Sequence, residues 1–174
     1  MGLEYVDIFY HHRMDPDALL EETVGALASA VQSGKAIYVG LSNYDGETLK
    51  KAAALLQELR CPFVINQNRY SIFDRTVEKN GLKQMTGELQ KGLITFSTLD
   101  EHRLGQIRKL NELAAQRGEK LAEMALGWLL HHKEVTSVLI GASRSQQILD
   151  NIKAISCAPF TEEELKLIDE ISQS

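Results

Sequence analysis

Five short apolar runs, each followed by at least one amphipathic helical pattern, constrain the fold of this chain more than any other feature. Each run has at most six residues, most of them apolar or β-branched, and is bounded by turn residues. This pattern is typical of strands buried on both faces of a parallel sheet. Connections between runs and helices are short. The pattern predicts a parallel α/β fold, either a doubly wound sheet or part of a (β/α)8 barrel. The predicted strands are Tyr5–Tyr10, Ala36–Leu41, Phe63–Asn66, Gly92–Phe96 and Thr136–Ile140.

The helices between these strands are predicted from apolar spacing and from their terminal residues. Asp15-Pro16-Asp17 is typical of a helix start, since proline is tolerated in the first turn. Residues Val77 to Gln90 predict one helix, with Gly87 as its weak point. Further helices are predicted over Glu47–Arg60, Asp100–Arg117, Lys120–His132 and Glu162–Ile171, the last capped by Thr161.

Functional side chains stand where the predicted strands end, and they favour the barrel over the doubly wound sheet. No G-x-G-x-x-G motif follows a strand, which argues against a Rossmann dinucleotide fold. Barrel enzymes build their sites at the carboxyl ends of their strands. A polar residue at the end of a single strand needs no functional explanation. Such residues at the ends of all five predicted strands are harder to explain without a shared function. The residues at these ends are His12, Ser42, Asn43, Gln67, Phe96, Ser97, Gly141 and Ser143.

The last strand leads through a Gly-Ala-Ser turn into a helix, an arrangement suited to phosphate. Ser143 is predicted as the N-cap of that helix, with Gln146 completing a capping box. Small residues let a ligand approach the backbone, and N–H groups together with the helix dipole favour an anion. Arg144 could add a bidentate contact. The alternative is an ordinary strand-to-helix turn without a ligand.

Composition narrows the classes of partner. The 174 residues suit one domain spanning 1–174, and the net charge of -5 without a basic stripe argues against nucleic acid as a partner. No apolar run approaches the ~20 residues that span a bilayer, and no signal peptide is visible, so we expect a cytoplasmic protein without membrane contact. Cys61 and Cys157 lack metal or redox spacing. Adjacent histidines such as His11-His12 point apart on a strand, so no metal site is expected.

Six ordered segments resemble the aldo-keto reductase superfamily, most closely its branch of glyceraldehyde-phosphate reductases and potassium-channel β subunits. They are LEYVDIFYHHR, SGKAIYVGLSNY, INQNRYS, GLITFS, LAEMALGWLL and TSVLIGASRSQQILDNI. The resemblance implies a (β/α)8 barrel that binds NADP(H) in an extended form. A complete barrel takes about 250 residues, so the resemblance implies a partial barrel, from the family's fourth strand to its eighth plus the C-terminal helix.

The resemblance also implies roles for individual residues. Of the family's catalytic tetrad of Asp, Tyr, Lys and His, only the histidine has a match, His12. The nicotinamide carboxamide would be bound by Ser42, Asn43 and Gln67, and Phe96 would stack on the ring. Ser97 and Leu99 would line the pyrophosphate path. Gly141, Ser143 and Arg144 would meet the phosphate on the adenosine side, and Gln147, Asp150 and Asn151 would reach the adenine.

Two hypotheses of different class follow. The first is an NADPH-dependent reductase of a small carbonyl substrate, inactive as the 174-residue chain alone because the Asp, Tyr and Lys are unmatched and the family's cofactor-covering loop after Leu99 is missing. The second is a non-catalytic module that folds, binds cofactor weakly at most, and forms a homo-oligomer. Its contacts would be the exposed barrel edges formed by Tyr5–Tyr10 and Thr136–Ile140.

Overall fold

The computed structural model describes residues 2–96 and 103–173, and within them five strands alternate with helices. The strands match the predicted ones to within three residues at every end, and the helices fill the intervals between them. In chain order the elements are β1 Val6–His11, α1 Leu20–Gln32, β2 Ala36–Ser42, α2 Gly46–Glu58, β3 Phe63–Arg69, α3 Thr76–Lys79, α4 Leu82–Glu88, β4 Gly92–Phe96, α5 Leu104–Gln116, α6 Leu121–His131, β5 Val135–Leu139, α7 Ser145–Ile152, a 3-10 turn Lys153–Ser156, and α8 Glu162–Ser172.

The strand order is β1-β2-β3-β4-β5, and the pairs β1–β2 and β2–β3 are parallel. The chain forms two compact units, Met1–Arg69 with Thr76–Ile94 (unit 1) and Tyr70–Arg75 with Thr95–Ser174 (unit 2), so the boundary passes through β4. The parallel α/β architecture predicted from the sequence is confirmed. That residues 1–174 act as one domain stays a prediction.

The core of unit 1 lies between its strands and the helices α1 and α2. Val39 and Leu41 of β2 are fully buried, as are Leu49 and Leu56 on one face of α2. Burying a leucine side chain contributes about 1.5–3 kcal/mol, so this shared face fixes α2 on the sheet. The helix begins at an N-cap, Asp45, whose side chain accepts a hydrogen bond from the backbone N–H of Thr48 at 2.8 Å.

The predicted helix start at Asp15-Pro16-Asp17 is wrong. Asp15 instead closes a turn, because its Oδ1 accepts from the N–H of Asp17 at 3.0 Å and its backbone carbonyl accepts from the N–H of Ala18 at 3.3 Å. Helix α1 begins only at Leu20, after an extended residue. An aspartate followed by proline favours a turn as readily as a helix start, and here the turn is formed.

The single helix predicted over Val77–Gln90 is two helices, α3 and α4. Gly81 separates them with a φ of 75°, a left-handed conformation that glycine adopts without strain. The side chain of Asn80 accepts from the N–H of Leu82 at 3.1 Å, and its carbonyl accepts from the N–H of Gly46 at 3.1 Å. The helix therefore breaks at Gly81, whereas Gly87, the predicted weak point, lies within α4.

Unit 2 is organised around an aromatic cluster of Tyr70, Trp128 and His132, against which Arg75 packs. The Trp128 side chain is 1% exposed and belongs to the core of this unit. The Arg75 guanidinium lies 4.0 Å from the centre of the Trp128 ring, and its Nη2 contacts Asp169 of α8 at 2.6 Å. Helix α8 starts at the predicted cap, with the Thr161 Oγ1 accepting from the N–H of Glu164 at 3.2 Å. No helix among the described residues is long and apolar enough to cross a membrane.

Candidate functional site

The carboxyl ends of β1, β2 and β3 meet around Asn43 in unit 1. Asn43 has a φ of 60°, a left-handed conformation that asparagine tolerates better than most residues. Its backbone N–H donates to the carbonyl of Gln67 at 3.2 Å and to the Asn68 Oδ1 at 2.5 Å. Its Nδ2 donates to the carbonyl of His12 at 2.8 Å and to the Ser42 Oγ at 3.1 Å. Four of the predicted site residues are thus brought together within one unit.

Asn68 is a residue of this network that the sequence analysis missed. It is buried, and its Nδ2 donates to the carbonyl of Tyr44 at 3.1 Å. Asn66, two residues earlier and so on the same face of β3, is also buried, but its amide has no hydrogen-bond partner among the described residues. The available signal was the spacing between Asn66, which ends the apolar run, and Asn68, because two residues of a continuing strand at this spacing share one face.

His11 and Tyr44 form a second contact at these strand ends. The His11 Nδ1 and the Tyr44 hydroxyl are hydrogen-bonded at 2.8 Å, and the rings meet edge to face. Tyr44 is 2% exposed, and burial raises the pKa of its phenol to about 12. Burial, and to a smaller extent the charge of His12, lowers the pKa of His11. Both groups are therefore neutral at pH 7, whereas the ring of His12 is exposed at the end of the strand.

The structure describes one of the three residues predicted at the fourth strand end. Phe96 is half-buried, and its carbonyl accepts from the N–H of Tyr70 at 3.1 Å within unit 2. Ser97 and Leu99 lie outside the described residues.

In unit 2, the turn before α7 carries the residues predicted to meet phosphate, but its cap differs from the prediction. Helix α7 starts at Ser145 with Arg144 as N-cap, so the prediction of Ser143 with Gln146 is wrong. The Gln147 Oε1 satisfies the turn instead. It accepts from the N–H of Ser143 at 2.8 Å, from the Ser143 hydroxyl at 3.2 Å, and from the N–H of Arg144 at 3.1 Å. Three donors thus converge on one oxygen, next to an exposed Gly141.

Asp150, one of the residues predicted to reach adenine, is held by two lysines. Its Oδ2 contacts the Lys120 Nζ at 2.6 Å and its Oδ1 contacts the Lys153 Nζ at 3.1 Å. These hydrogen bonds, that of Lys120 foremost, lower the pKa of the Asp150 carboxyl to about 2. Gln147, Asp150 and Asn151 share one side of α7 through their spacing of three and four residues. Among the described residues, no three His, Cys, Asp or Glu side chains are grouped so that they could hold a metal.

Comparison with known proteins identifies the family. The sequence profile of the Aldo/keto reductase family matches residues 1–173. The chain belongs to this family. The resemblance found in the sequence is confirmed, including its branch, because the relatives of this aldo/keto reductase chain include an L-glyceraldehyde 3-phosphate reductase and potassium-channel β subunits.

Individual relatives give the extent of the match. The chain is 42% identical to the L-glyceraldehyde 3-phosphate reductase of Escherichia coli K12 over 204 aligned positions, covering 98% of this chain and 59% of the relative. It is 31% identical to a putative voltage-gated potassium channel subunit beta of Schizosaccharomyces pombe, covering 98% and 60%. A crystal structure of a thermostable aldo-keto reductase with the inhibitor epalrestat is similar with a TM-score of 0.81 and 32% identity, covering 97% of this chain and 60% of that one.

The family match also shows what this aldo/keto reductase chain lacks. It spans about 60% of the length of these relatives. The alignment with the E. coli reductase has 204 positions and the chain has 174 residues, so at least 30 aligned residues of the relative have no counterpart here. These residues fall within the matched region.

Proposed function

We propose that this chain is a partial (β/α)8 barrel of the aldo/keto reductase type, from the family's fourth strand to its eighth plus the C-terminal helix, and that it binds NADP(H). The observation that carries the proposal is the family match over residues 1–173 combined with site residues at successive strand ends. The TM-score of 0.81 to a solved aldo-keto reductase over 60% of that chain supports it. The missing aligned residues support a deletion of the loop that follows Leu99 in the family.

The first group of site residues would position the nicotinamide. Ser42, Asn43 and Gln67 would bind the carboxamide, and the hydrogen bonds of Asn43 hold their strand ends together. The side-chain amide of Gln67 has no hydrogen-bond partner among the described residues and is available to a ligand. Phe96 would stack on the ring. The exposed ring of His12 would orient a carbonyl substrate.

The second group would bind the phosphates and the adenine, and its geometry fits an anion. Two N–H groups and a hydroxyl of Ser143 and Arg144 already converge on the Gln147 Oε1. A phosphate oxygen accepts the same kind of hydrogen bonds, and Arg144 adds a guanidinium. Ser97, Leu99 and Gly141 would line the path of the phosphates. Gln147, Asp150 and Asn151 would contact the adenine.

Bound NADPH supplies a hydride, and reduction of the carbonyl also needs a proton donor. The chain has no residue matched to the tyrosine, lysine or aspartate of the family tetrad. General acid catalysis is worth roughly 10²–10⁴-fold, so we propose that the 174-residue chain has no reductase activity alone. NADPH oxidation with a panel of aldehydes tests this. Turnover above the blank that disappears in His12→Ala and persists in His131→Ala would contradict it.

Calorimetry with NADPH and NADH tests cofactor binding separately from activity. We expect NADPH to bind more tightly, because a 2′-phosphate offers Arg144 a bidentate contact. Arg144→Ala should weaken NADPH binding more than NADH binding, while Arg108→Ala, an exposed arginine of α5, should change neither. Equal weakening of both cofactors by Arg144→Ala, or a parent preference for NADH, would refute the assignment.

A second candidate, a self-associating module without catalysis, is favoured by exposed apolar side chains on the outer strands and on α7. Phe9 of β1 is 47% exposed and Leu139 of β5 is 59% exposed, and β1 and β5 end the strand order. Ile155, after α7, is 76% exposed. Unpaired edges and apolar patches favour association, so we propose a homo-oligomer whose melting temperature rises with protein concentration. A monomer by light scattering with a concentration-independent melt would refute it.

A further inference from the structure

A groove in unit 1 opens between α2 and the segments that lead into β3 and β4. Its volume is about 790 Å³, within the range of ~300–1,000 Å³ that is common for ligand pockets. Ala53 and Ala54 of α2 line the groove together with the apolar side chains of Phe63 and Leu89, and these last two are called its apolar floor below. Small side chains on α2 therefore leave room beside a buried aromatic ring.

Three cations line this groove and no carboxylate does. They are Lys50 on α2, Arg60 in the turn before β3, and Lys91 in the turn before β4. The whole chain has more acidic than basic residues, 24 against 19, so an all-cationic lining runs against its composition. Among the described residues, none of the three has a carboxylate within ion-pair distance. The neighbouring Lys51, in contrast, is paired with Glu47 at 2.7 Å.

The Lys91 Nζ lies 5.8 Å from the centre of the Phe63 ring, but none of the three cations has a carboxylate partner among the described residues. The apolar floor and these cations therefore select the same kind of ligand. An uncharged apolar molecule would leave the positive charges unused, and a small inorganic anion would leave the floor exposed to water. We propose that this groove binds an amphipathic organic anion, in which a carboxylate, sulfate or phosphate group is joined to an apolar chain. The site goes beyond the proposed function, because it lies at the amino ends of the strands, whereas Ser42 and Gln67 stand at the carboxyl ends.

Cys61 provides a direct reporter of occupancy. It lines the groove and is 6% exposed. The other cysteine of the chain, Cys157, lies in unit 2 and does not line the groove. A ligand on the floor of the groove should slow alkylation of Cys61 and leave Cys157 unaffected, so the second thiol serves as an internal control.

The test uses octanoate and its uncharged counterpart 1-octanol, with alkylation by N-ethylmaleimide followed on each cysteine by mass spectrometry. Octanoate should protect Cys61 and not Cys157 from alkylation. Isothermal titration should give the same dissociation constant as the dependence of this protection on octanoate concentration. The double variant Lys50→Gln, Lys91→Gln should weaken octanoate binding about tenfold, because it removes two of the three positive charges that can pair with the carboxylate. Raising the ionic strength should weaken it as well.

The matched control is Lys51→Gln, which removes the same charge one position away and should leave octanoate binding unchanged. Four outcomes would overturn the proposal: no protection of Cys61 by octanoate, equal protection of Cys157, equal protection by 1-octanol, or equal weakening in Lys51→Gln and in the double variant. The readout is alkylation of the parent chain without cofactor. The proposal for this groove is therefore tested independently of NADP(H) binding.

Discussion

Two asparagines on the same face of β3 should respond in opposite directions to the same substitution. Asn66 and Asn68 are both buried. Asn68 accepts from the N–H of Asn43 and donates to the carbonyl of Tyr44, whereas the amide of Asn66 has no partner among the described residues. Leucine has nearly the shape of asparagine, so replacing each by leucine isolates the effect of its hydrogen bonds.

The magnitudes follow from these contacts. Asn68→Leu removes two hydrogen bonds and leaves the Tyr44 carbonyl without the donor it has now, whereas the N–H of Asn43 keeps the carbonyl of Gln67 at 3.2 Å. At about 1 kcal/mol for each of the two lost bonds, plus about 1–3 kcal/mol for the buried carbonyl, we expect a loss of about 3–5 kcal/mol. Asn66→Leu removes a buried amide that is unpaired, so we expect a gain of about 1–2 kcal/mol.

Urea unfolding followed by far-ultraviolet circular dichroism measures both free energies. The midpoint should rise for Asn66→Leu and fall for Asn68→Leu with the slope m unchanged, since neither change alters the surface exposed on unfolding. In thermal melts, each 1 kcal/mol should appear as a shift of about 2–4 °C. If Asn66→Leu destabilises the chain as much as Asn68→Leu does, the amide of Asn66 has partners and the reasoning fails.

Two further predictions concern charge and close packing. The carboxyl of Asp150 has a folded pKa of about 2, below its ordinary value. Its ion pairs therefore stabilise the fold above the ordinary pKa and lose this effect as the pH falls toward 2. Carboxyl NMR should show a higher pKa of Asp150 in Lys120→Met, and an unchanged pKa would contradict the pairing. A Cβ on Gly46 would lie 2.6 Å from the backbone of the turn at Gly81, whereas one on Gly25 meets nothing within 4 Å. Melting curves should therefore show Gly46→Ala destabilised by about 1–3 kcal/mol and Gly25→Ala stabilised by about 0.4–1 kcal/mol, and the reverse order would refute the packing.

The strands were predictable because buried parallel strands are apolar runs that the sequence displays directly. The breaks and caps were less so, since they depend on which of several adjacent residues is used. Gly81 and Gly87 both lie in the same predicted helix, and the sequence does not indicate which of them interrupts it. The hydrogen bonds of Asn80 favour the interruption at Gly81. In the same way, the sequence allows either Ser143 or Arg144 as the N-cap of α7. In the structure the Gln147 Oε1 accepts hydrogen bonds from the backbone N–H groups of both residues, and Arg144 is the N-cap.

The candidate site was predictable in position but not in its contacts. Strand ends located Ser42, Asn43 and Gln67, because parallel strands bring their carboxyl ends to one edge. The contact between His11 and Tyr44 joins residues 33 positions apart in the sequence, and nothing local marks either as a partner of the other. The spacing of Asn68 from Asn66 marks a polar residue that faces the core, but its partners Asn43 and Tyr44 lie 25 and 24 positions away in the sequence.

Trp128, on which Arg75 packs, provides a fluorescence probe for the unfolding of unit 2. Trp128 is the only tryptophan of the chain, and it lies in unit 2. Indole fluorescence excited at the red edge of absorption therefore reports when this unit unfolds and is silent about unit 1, whereas the peptide signal in circular dichroism sums both. Coincident transitions by the two probes would mean cooperative unfolding of the whole chain. Separated transitions would make the two units independent folding units, and the fluorescence curve would then give the stability of one without dissecting the chain.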